Sequence, residues 1–357
     1  MPFSTFLLCP SGPVTVRREG EACLAQDRQG NSLELTVPRG ACRAALATAP
    51  APAGAAQRLL LAALEFAFSE PGAPPRLLLS GAGLAPLAEG LLALGAAVPE
   101  PGAGPGALTA HAEMLWQIPL AWTAPRAAAA YPAMPVMSQG QRHPRRPPKP
   151  RGTFYARHIP WLDEVLSFRA AEMDTHLPLL HRWMNDPRVA EFWKEDGPVE
   201  HHRAYLQRLL DDPHMLPVFA YFNDEPFGYF ELYWAKENRL APFYDVADHD
   251  RGWHVVIGED RFRGRARISA WLPSLMHAMF LDDPRTARIV GEPQADHHQQ
   301  LRNLERSGFA RIKTFDFPHK TAVLVSLLRE TYFHDRLWLP REAEPAASNA
   351  RREPAHA

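Results

Sequence analysis

Between Arg251 and Phe280 the chain reads RGWHVVIGEDRFRGRARISAWLPSLMHAMF, a stretch holding one histidine near its start, a glycine and four closely spaced arginines ahead of a helical run. Val255, Val256 and Ile257 favour an extended backbone. Arg261, Gly264 and Ala266 supply a tight turn, and the helix that follows would aim free backbone N–H groups and its positive dipole end at an anion. The chemistry is that of a phosphate cradle. Backbone amides from Arg263 through Gly264 and Arg265 to Ala266 would face such an anion, and Arg261, Arg263, Arg265 or Arg267 would pair with its oxygens. The spacing is Arg-x-x-Gly-x-Ala, and the nucleotide P-loop GxxxxGK[ST] is absent. From these residues alone, a solvated turn between a strand and a helix accounts for the pattern equally well.

His254 lies on the strand before this loop. Side chains alternate on a strand, so His254 faces opposite to Trp253 and Val255 and can project into a cleft while they pack. Spacing alone favours the plainer role of a core histidine bonded to a backbone carbonyl. His201-His202 and His297-His298 are adjacent pairs whose side chains diverge, and neither HExxH nor a Cys/His pattern occurs, so no metal site is expected.

The elements that must position these groups follow from periodicity. Residues 153–340 read as a strand at Leu166–Arg169, helices at Thr175–Met184 and Val199–Leu210, and hairpin strands at Val218–Phe222 and Gly228–Trp234. The strand Gly252–Ile257, the glycine loop and its helix come next. A strand at Arg288–Gly291, a helix from Asp296 to Ser307 and two closing strands around Ile312–Phe317 and Ala322–Leu327 complete the unit. Residues 1–130 form a smaller α+β unit, with short strands at Val14–Arg18, Leu33–Val37 and Leu77–Leu79 and helices at Ala55–Phe68 and Leu84–Leu94. Nothing in that unit gathers into an acid, base or nucleophile set. Residues 131–152 are dominated by Pro, Ala and Arg and read as a solvated linker, and 341–357 read as a disordered polar tail.

Composition supports the division. At 357 residues the chain exceeds what one core usually serves, and seven of its nine tryptophans fall between Trp161 and Trp338 while all three cysteines lie within the first 42 residues. The formal net charge of −1 gives no electrostatic case for nucleic acid or membrane binding. Unpaired cysteine spacing suggests a reducing compartment, and no apolar run has the length of a signal peptide or membrane span, so the expected location is cytoplasmic.

Four further segments extend the pattern around the glycine loop: His181-Arg-Trp-Met-Asn185-Asp-Pro-Arg-Val189 with Phe192-Trp193; Tyr233-Trp-Ala-Lys236-Glu237; Tyr244-Asp245 with Asp250-Arg-Gly-Trp-His254; and Gly291-Glu292-Pro293 leading to Gly308-Phe309. Together with the loop they resemble the aerobactin- and alcaligin-type siderophore acyltransferases of the GNAT superfamily, over roughly residues 165–335. The resemblance implies an α/β (α+β) fold with a mixed central sheet splayed to admit an acyl-CoA such as acetyl-CoA, the co-substrate. It also implies transfer of the acyl group to N-hydroxylysine, N-hydroxyornithine or a related hydroxylated diamine, giving a hydroxamate.

A hydroxylamine nitrogen is largely unprotonated near neutrality, so the enzyme mainly has to orient it and stabilise the oxyanion. By the same resemblance His254 touches the reacting N–OH group and backbone groups of Val255, Val256 and Ile257 bind the pantetheine. Asn185, Trp193, Lys236 and Glu237 shape the acceptor pocket, though a helix-ending turn, a core tryptophan and a surface ion pair are their ordinary roles. Family members usually carry an acid directly after Glu-Pro. Here that residue is Gln294, and Asp296 is either its displaced equivalent or the N-cap of the next helix. The first unit is expected to be a degenerate relative of the second that aids solubility or homodimer formation. Two alternatives keep part of this reading: a GNAT enzyme for an unhydroxylated amine on an aminoglycoside or protein, and a non-catalytic acyl-CoA-binding scaffold.

Overall fold

The computed structural model describes residues 3–340 apart from 49–51, 105, 127, 129 and 139; the expected tail 341–357 lies outside the described residues. The first half contains strands β1 (Phe3–Thr5), β2 (Val14–Glu19), β3 (Ala22–Asp27), β4 (Ser32–Thr36), β5 (Arg43–Ala45), β6 (Arg76–Ser80), β7 (Val98–Pro99) and β8 (Leu108–His111), with helices α1 (Ala53–Ser69), α2 (Ala88–Leu94) and α3 (Ala112–Leu115). A hairpin of β9 (Pro135–Ser138) and β10 (Gln141–Pro144) follows.

The second half opens with β11 (Thr153–Ile159), β12 (Glu164–Ala170), α4 (Met173–Met184), α5 (Pro187–Trp193), α6 (Val199–Asp211), β13 (Met215–Phe222), β14 (Glu225–Trp234) and β15 (Arg251–Ile257). It closes with α7 (Arg265–Asp282), β16 (Arg288–Gly291), α8 (His298–Arg306), β17 (Ala310–Phe317), β18 (Lys320–Leu328) and α9 (Arg329–His334).

The two large sheets have eight strands each, in the orders β1-β2-β3-β4-β5-β6-β8-β7 and β11-β12-β13-β14-β15-β16-β18-β17. Every pairing in them is antiparallel except one in each, β5 with β6 and β15 with β16. The halves therefore share strand order and sense, although only one carries the basic glycine loop. They differ at the parallel pair. Next to β5 and β6 the chain stays zipped, with Leu46 N–H donating to Ser80 O (2.8 Å) and Gly83 N–H to Leu46 O (3.0 Å). In the second sheet β15 meets β16 only at Arg251 and Gly252, after which the two strands part.

The joint between the halves is built from aromatic rings. Trp116 stacks on Trp122 (4.6 Å) and on Trp338 (4.8 Å). Its carbonyl accepts from His277 Nε2 of α7 (2.7 Å), whose Nδ1 accepts from Tyr155 of β11 (2.9 Å). Burial, and then nearby arginines, lower the His277 pKa to about 3 despite that carbonyl, so the ring stays neutral in this relay. Residues 121–124 also bond to the chain just after β1 and to β11, through Phe6 N–H to Ala121 O and Ala156 N–H to Trp122 O. One hydrophobic core runs through both halves.

The expected solvated linker is instead docked. Arg146 is buried, its guanidinium 4.2 Å from the Trp234 ring centroid and bonded to Glu237 (2.5 and 2.7 Å) and to Asp248 O (2.7 Å). Lys149 Nζ donates to Leu209 O and Leu210 O at 2.7 Å each. A proline-rich segment cannot make its own core, but it has little conformational freedom to lose on docking. The same Glu237 carboxylate meets His143 Nδ1 (2.8 Å) and His214 Nδ1 (3.0 Å). This is a metal-like donor set that the sequence does not announce. Both carboxylate oxygens, however, already bond the Arg146 guanidinium.

Removing Glu237 leaves Arg146 as a buried, unpaired charge, so Glu237→Ala is expected to lower the unfolding free energy by about 3–5 kcal/mol. Urea denaturation checks it; an unchanged midpoint would show that the linker is not held by this pair.

Candidate functional site

The register of β14 and β15 sets His254 directly opposite Glu231. His254 Nδ1 lies 2.9 Å from Glu231 Oε2 and Nε2 lies 3.1 Å from Glu292 Oε1, so the imidazole sits between two carboxylates. Its side chain keeps 26 % exposure, whereas those of Glu231 and Glu292 keep 5 % and 2 %. Phenols satisfy the other oxygens: Tyr205 and Tyr229 donate to Glu231, and Tyr233 donates to Glu292 (2.9 Å). Gly252 makes the last contact possible. It faces Tyr233 in register, and a Cβ there would lie 2.2 Å from the phenol ring.

Electrostatics follow from this enclosure. Burial works to lower the His254 pKa, but the hydrogen bonds to Glu231 and Glu292 outweigh it and raise it to about 9. Glu292 shows the reverse balance: burial raises its pKa, yet the His254 bond and charge, Lys320 and Tyr233 hold it near 2. Glu231 is lowered for the same reason. These shifts favour an imidazolium between two carboxylates at neutral pH.

Beyond Gly252, β15 continues without β16, and Trp193 at the end of α5 covers part of its open edge. The indole Nε1 donates to Val255 O (3.3 Å) and the ring meets His254 edge-on at 6.3 Å. Val256 packs into the cluster beneath α4 and α6, while Val255 and Ile257 are half-buried. Two of the backbone carbonyls expected to be open to pantetheine are thus used within the chain, Val255 O by Trp193 and Ile257 O by Arg263 (2.9 Å).

The glycine loop forms as expected. Gly264 has φ +96°, a conformation costly for other residues, and nothing lies within 4 Å of a Cβ placed there. α7 starts at Arg265 with no side-chain cap and no acid in its first turn, so its amides suit an anion. Arg265 and Ala266 are exposed. Arg261 pairs with Glu225 (2.9 Å), Arg263 with Asp260 (3.3 Å), and Arg267 is drawn back to Glu164 over the Phe222 and Phe262 rings.

Several expected site residues stand elsewhere. Asp296 is exposed, and its carboxylate takes a 3.3 Å contact from Gln294 Nε2. It is not the partner of His254, because residues 293–295 bond along β18 (Val323 N–H to Pro293 O, Ala295 N–H to Thr321 O) and carry it off along the sheet. Nor is it the N-cap, since α8 begins one residue later than that role requires and His297 Nδ1 accepts from Gln300 N–H (3.1 Å). Asn185 is spent on the loop after Trp193, exchanging two bonds with the Gly197 backbone (2.9 and 3.0 Å). Lys236 bonds to Val246 O (3.2 Å), and Glu237 belongs to the linker dock.

The sequence reading missed Glu231 and Glu292 as partners. A signal for the first existed: Glu231 is a lone carboxylate within an apolar strand, GYFELYW, and needs a partner there. A cleft of about 860 Å³ beneath the linker, lined by Arg145, Lys149 and Glu172 among others, is separate from this site.

A mixed sheet whose single parallel pair parts beside a basic glycine loop and a helix N-terminus defines an acyl-CoA N-acyltransferase architecture. Residues 172–317 match the family model described as "Acetyltransferase (GNAT) domain". An N(6)-hydroxylysine O-acetyltransferase of Escherichia coli is 39% identical over 224 residues, which cover 62% of this chain and 71% of that one. An N(5)-hydroxyornithine:cis-anhydromevalonyl coenzyme A-N(5)-transacylase of Beauveria bassiana is 43% identical over 219 residues, 60% of this chain and 48% of that one. Among solved structures, an uncharacterized Bacillus halodurans protein superposes with TM-score 0.50 and 28% identity over 53% of this chain and 96% of that one. The chain belongs to the GNAT acyltransferase family, and it spans about half the length of the fungal transacylases it matches.

The two-carboxylate clamp makes a measurable claim. In an NMR titration the His254 imidazole is expected to lose its proton near pH 9, and in Glu292→Gln the midpoint moves down, since one of the two stabilising anions is gone. A midpoint near 6.5 in the wild-type protein would mean that the clamp does not form in solution.

Proposed function

We propose that this chain is an acyl-CoA-dependent N-acyltransferase that acylates the hydroxylamine nitrogen of N-hydroxylysine, N-hydroxyornithine or a related diamine, making a hydroxamate for siderophore assembly. The observation that carries the reading is the clamped His254 at the parting of β15 and β16, one strand's length from the glycine loop. The named substrates of the Escherichia coli and Beauveria bassiana relatives support the choice of acceptor.

The pyrophosphate of acetyl-CoA or another acyl-CoA rests on the amides of Gly264, Arg265 and Ala266, and its thioester enters where β15 leaves β16. The hydroxylamine nitrogen attacks the thioester carbon, backbone amides of the open β15 edge steady the oxyanion, and the C–S bond breaks as CoA leaves. His254 takes the proton that the nitrogen loses. It becomes free to do so when the arriving N–OH replaces one carboxylate contact and lowers its pKa toward neutrality. All three cysteines are in the first half and free, so transfer is direct, without an acyl-cysteine in this site. Free cysteines also suit a reducing, cytoplasmic setting, and no described helix is long and apolar enough to cross a membrane.

We read residues 1–130 as a degenerate copy of the catalytic half. Its strand order is the same, but its parallel pair stays zipped at Leu46 and Ser80, and no arginine precedes α1 as Arg261 and Arg263 precede α7.

The test is free-thiol release from acetyl-CoA with each hydroxylated amino acid and its parent, with the product scored as its coloured ferric hydroxamate, which an O-acylated product would not form. Turnover is expected only with the hydroxylated amines, and His254→Ala should lower kcat/KM by about 10²–10⁴-fold. Equal rates with lysine or ornithine would transfer the assignment to an ordinary amine acetyltransferase. Coenzyme A binding with no turnover of any amine would favour a scaffold.

A further inference from the structure

Beyond the imidazole itself, Arg239 and Lys320 stand against Glu292 of the His254 site. Arg239, just after β14, places Nη2 3.6 Å from Glu292 Oε1, the same oxygen that His254 contacts, and its guanidinium lies 5.3 Å from the Phe317 ring centroid. The Arg239 side chain is nevertheless 52 % exposed against 2 % for Glu292, so it is open to solvent. Behind it, Lys320 donates to Glu292 O (2.8 Å) and lies 5.7 Å from the same ring, on which His319 also stacks. Lys194 follows Trp193 in a left-handed turn. His319 is exposed, and desolvation, then the charges of Arg239, Lys320 and Lys194, lower its pKa. Glu231 and Glu292 are already committed to His254, and Arg239 shares its Glu292 oxygen with that imidazole.

Position assigns the missing anion. Along β15 the glycine loop follows Ile257, whereas Glu292 and Arg239 adjoin the opposite end, where Tyr233 crosses Gly252. A donor whose phosphates occupy the loop cannot also supply an anion at Arg239 with its thioester at His254. The anion must come from the acceptor.

We infer that Arg239 binds the α-carboxylate of an amino-acid acceptor, so that this enzyme acylates a hydroxylamine carried on a free amino acid and discriminates against the decarboxylated diamine. A guanidinium is suited to this because its fork takes both carboxylate oxygens, and its carbon lies 5.3 Å from the Phe317 ring centroid. Arg239 and His254 share one Glu292 oxygen, a separation that the short methylene chain of ornithine or lysine can bridge. Glu292 thereby touches both the proton acceptor and the carboxylate reader. The inference rests on the hydroxamate reading above.

The experiment compares N-hydroxyornithine and N-hydroxylysine with N-hydroxyputrescine and N-hydroxycadaverine, which differ from them only by the carboxylate, in wild type, Arg239→Gln and Arg239→Lys. Wild type is expected to favour the better amino acid over its diamine by about tenfold or more in kcat/KM. Arg239→Gln should bring that ratio toward parity by raising the amino-acid KM with kcat largely kept, and Arg239→Lys should restore part of it. Wild-type turnover of a diamine as efficient as that of its amino acid would overturn the inference, as would a Gln variant that slows both substrate classes by the same factor. Failure of all four hydroxylamines would instead remove the hydroxamate reading, and this inference with it.

Discussion

An imidazole enclosed by two buried carboxylates is the interaction on which the rest of the site depends. Two carboxylates this close would repel, and one would be driven to protonate, unless a cation or a strong donor stood between them. His254 fills that place, and the phenols of Tyr205, Tyr229 and Tyr233 satisfy the oxygens it leaves. The clamp fixes the imidazole plane and holds Glu292 where it also meets Arg239. The geometry in turn depends on a strand register, because Glu231 reaches His254 only while β14 and β15 pair as they do, and a slip of one residue would turn the carboxylate to the other face.

The same sheet creates its opening by ceasing to pair. Every strand around β15 is hydrogen-bonded along its length except on the β16 side, where contact ends at Gly252. Trp193 and Arg263 occupy two of the carbonyls so freed, leaving a gap lined by the edge of β15 rather than a ragged, unsatisfied strand. The first half shows the contrast: with the same strand order it closes its parallel pair at Leu46, and it has no basic loop to receive an anion. Packing joins it to the second half. Trp116, Trp122 and Trp338 with neutral His277 tie it to α7, the helix whose N-terminus begins at the glycine loop.

Local features were legible where a side-chain pattern or a backbone requirement acts within a few residues. The strand that carries His254, the Gly264 turn, the helix after it and the strand Arg288–Gly291 all appear as read from periodicity and turn chemistry. Helix boundaries were less so: α8 starts at His298, with a histidine cap where an aspartate was the natural candidate. The linker was misread because its composition argues only that it lacks a core of its own; whether Arg146 finds a buried acid depends on Glu237, which is 91 residues away. Asp296 failed for a related reason, since proximity in sequence to Glu-Pro is not proximity to His254 once residues 293–295 follow β18.

By itself, then, the sequence determined the class of fold and the strand, glycine turn and helix around His254, because each is written in spacings that span no more than one strand, turn and helix. Only the tertiary structure decided which acids serve that histidine. Glu231 comes from an antiparallel neighbour and Glu292 from the end of the strand across the parting, and their convergence is a property of register and sheet order rather than of spacing. Charge is the reason that the difference matters: an exposed Asp296 would leave His254 near its ordinary pKa, whereas two buried carboxylates keep it cationic through neutral pH.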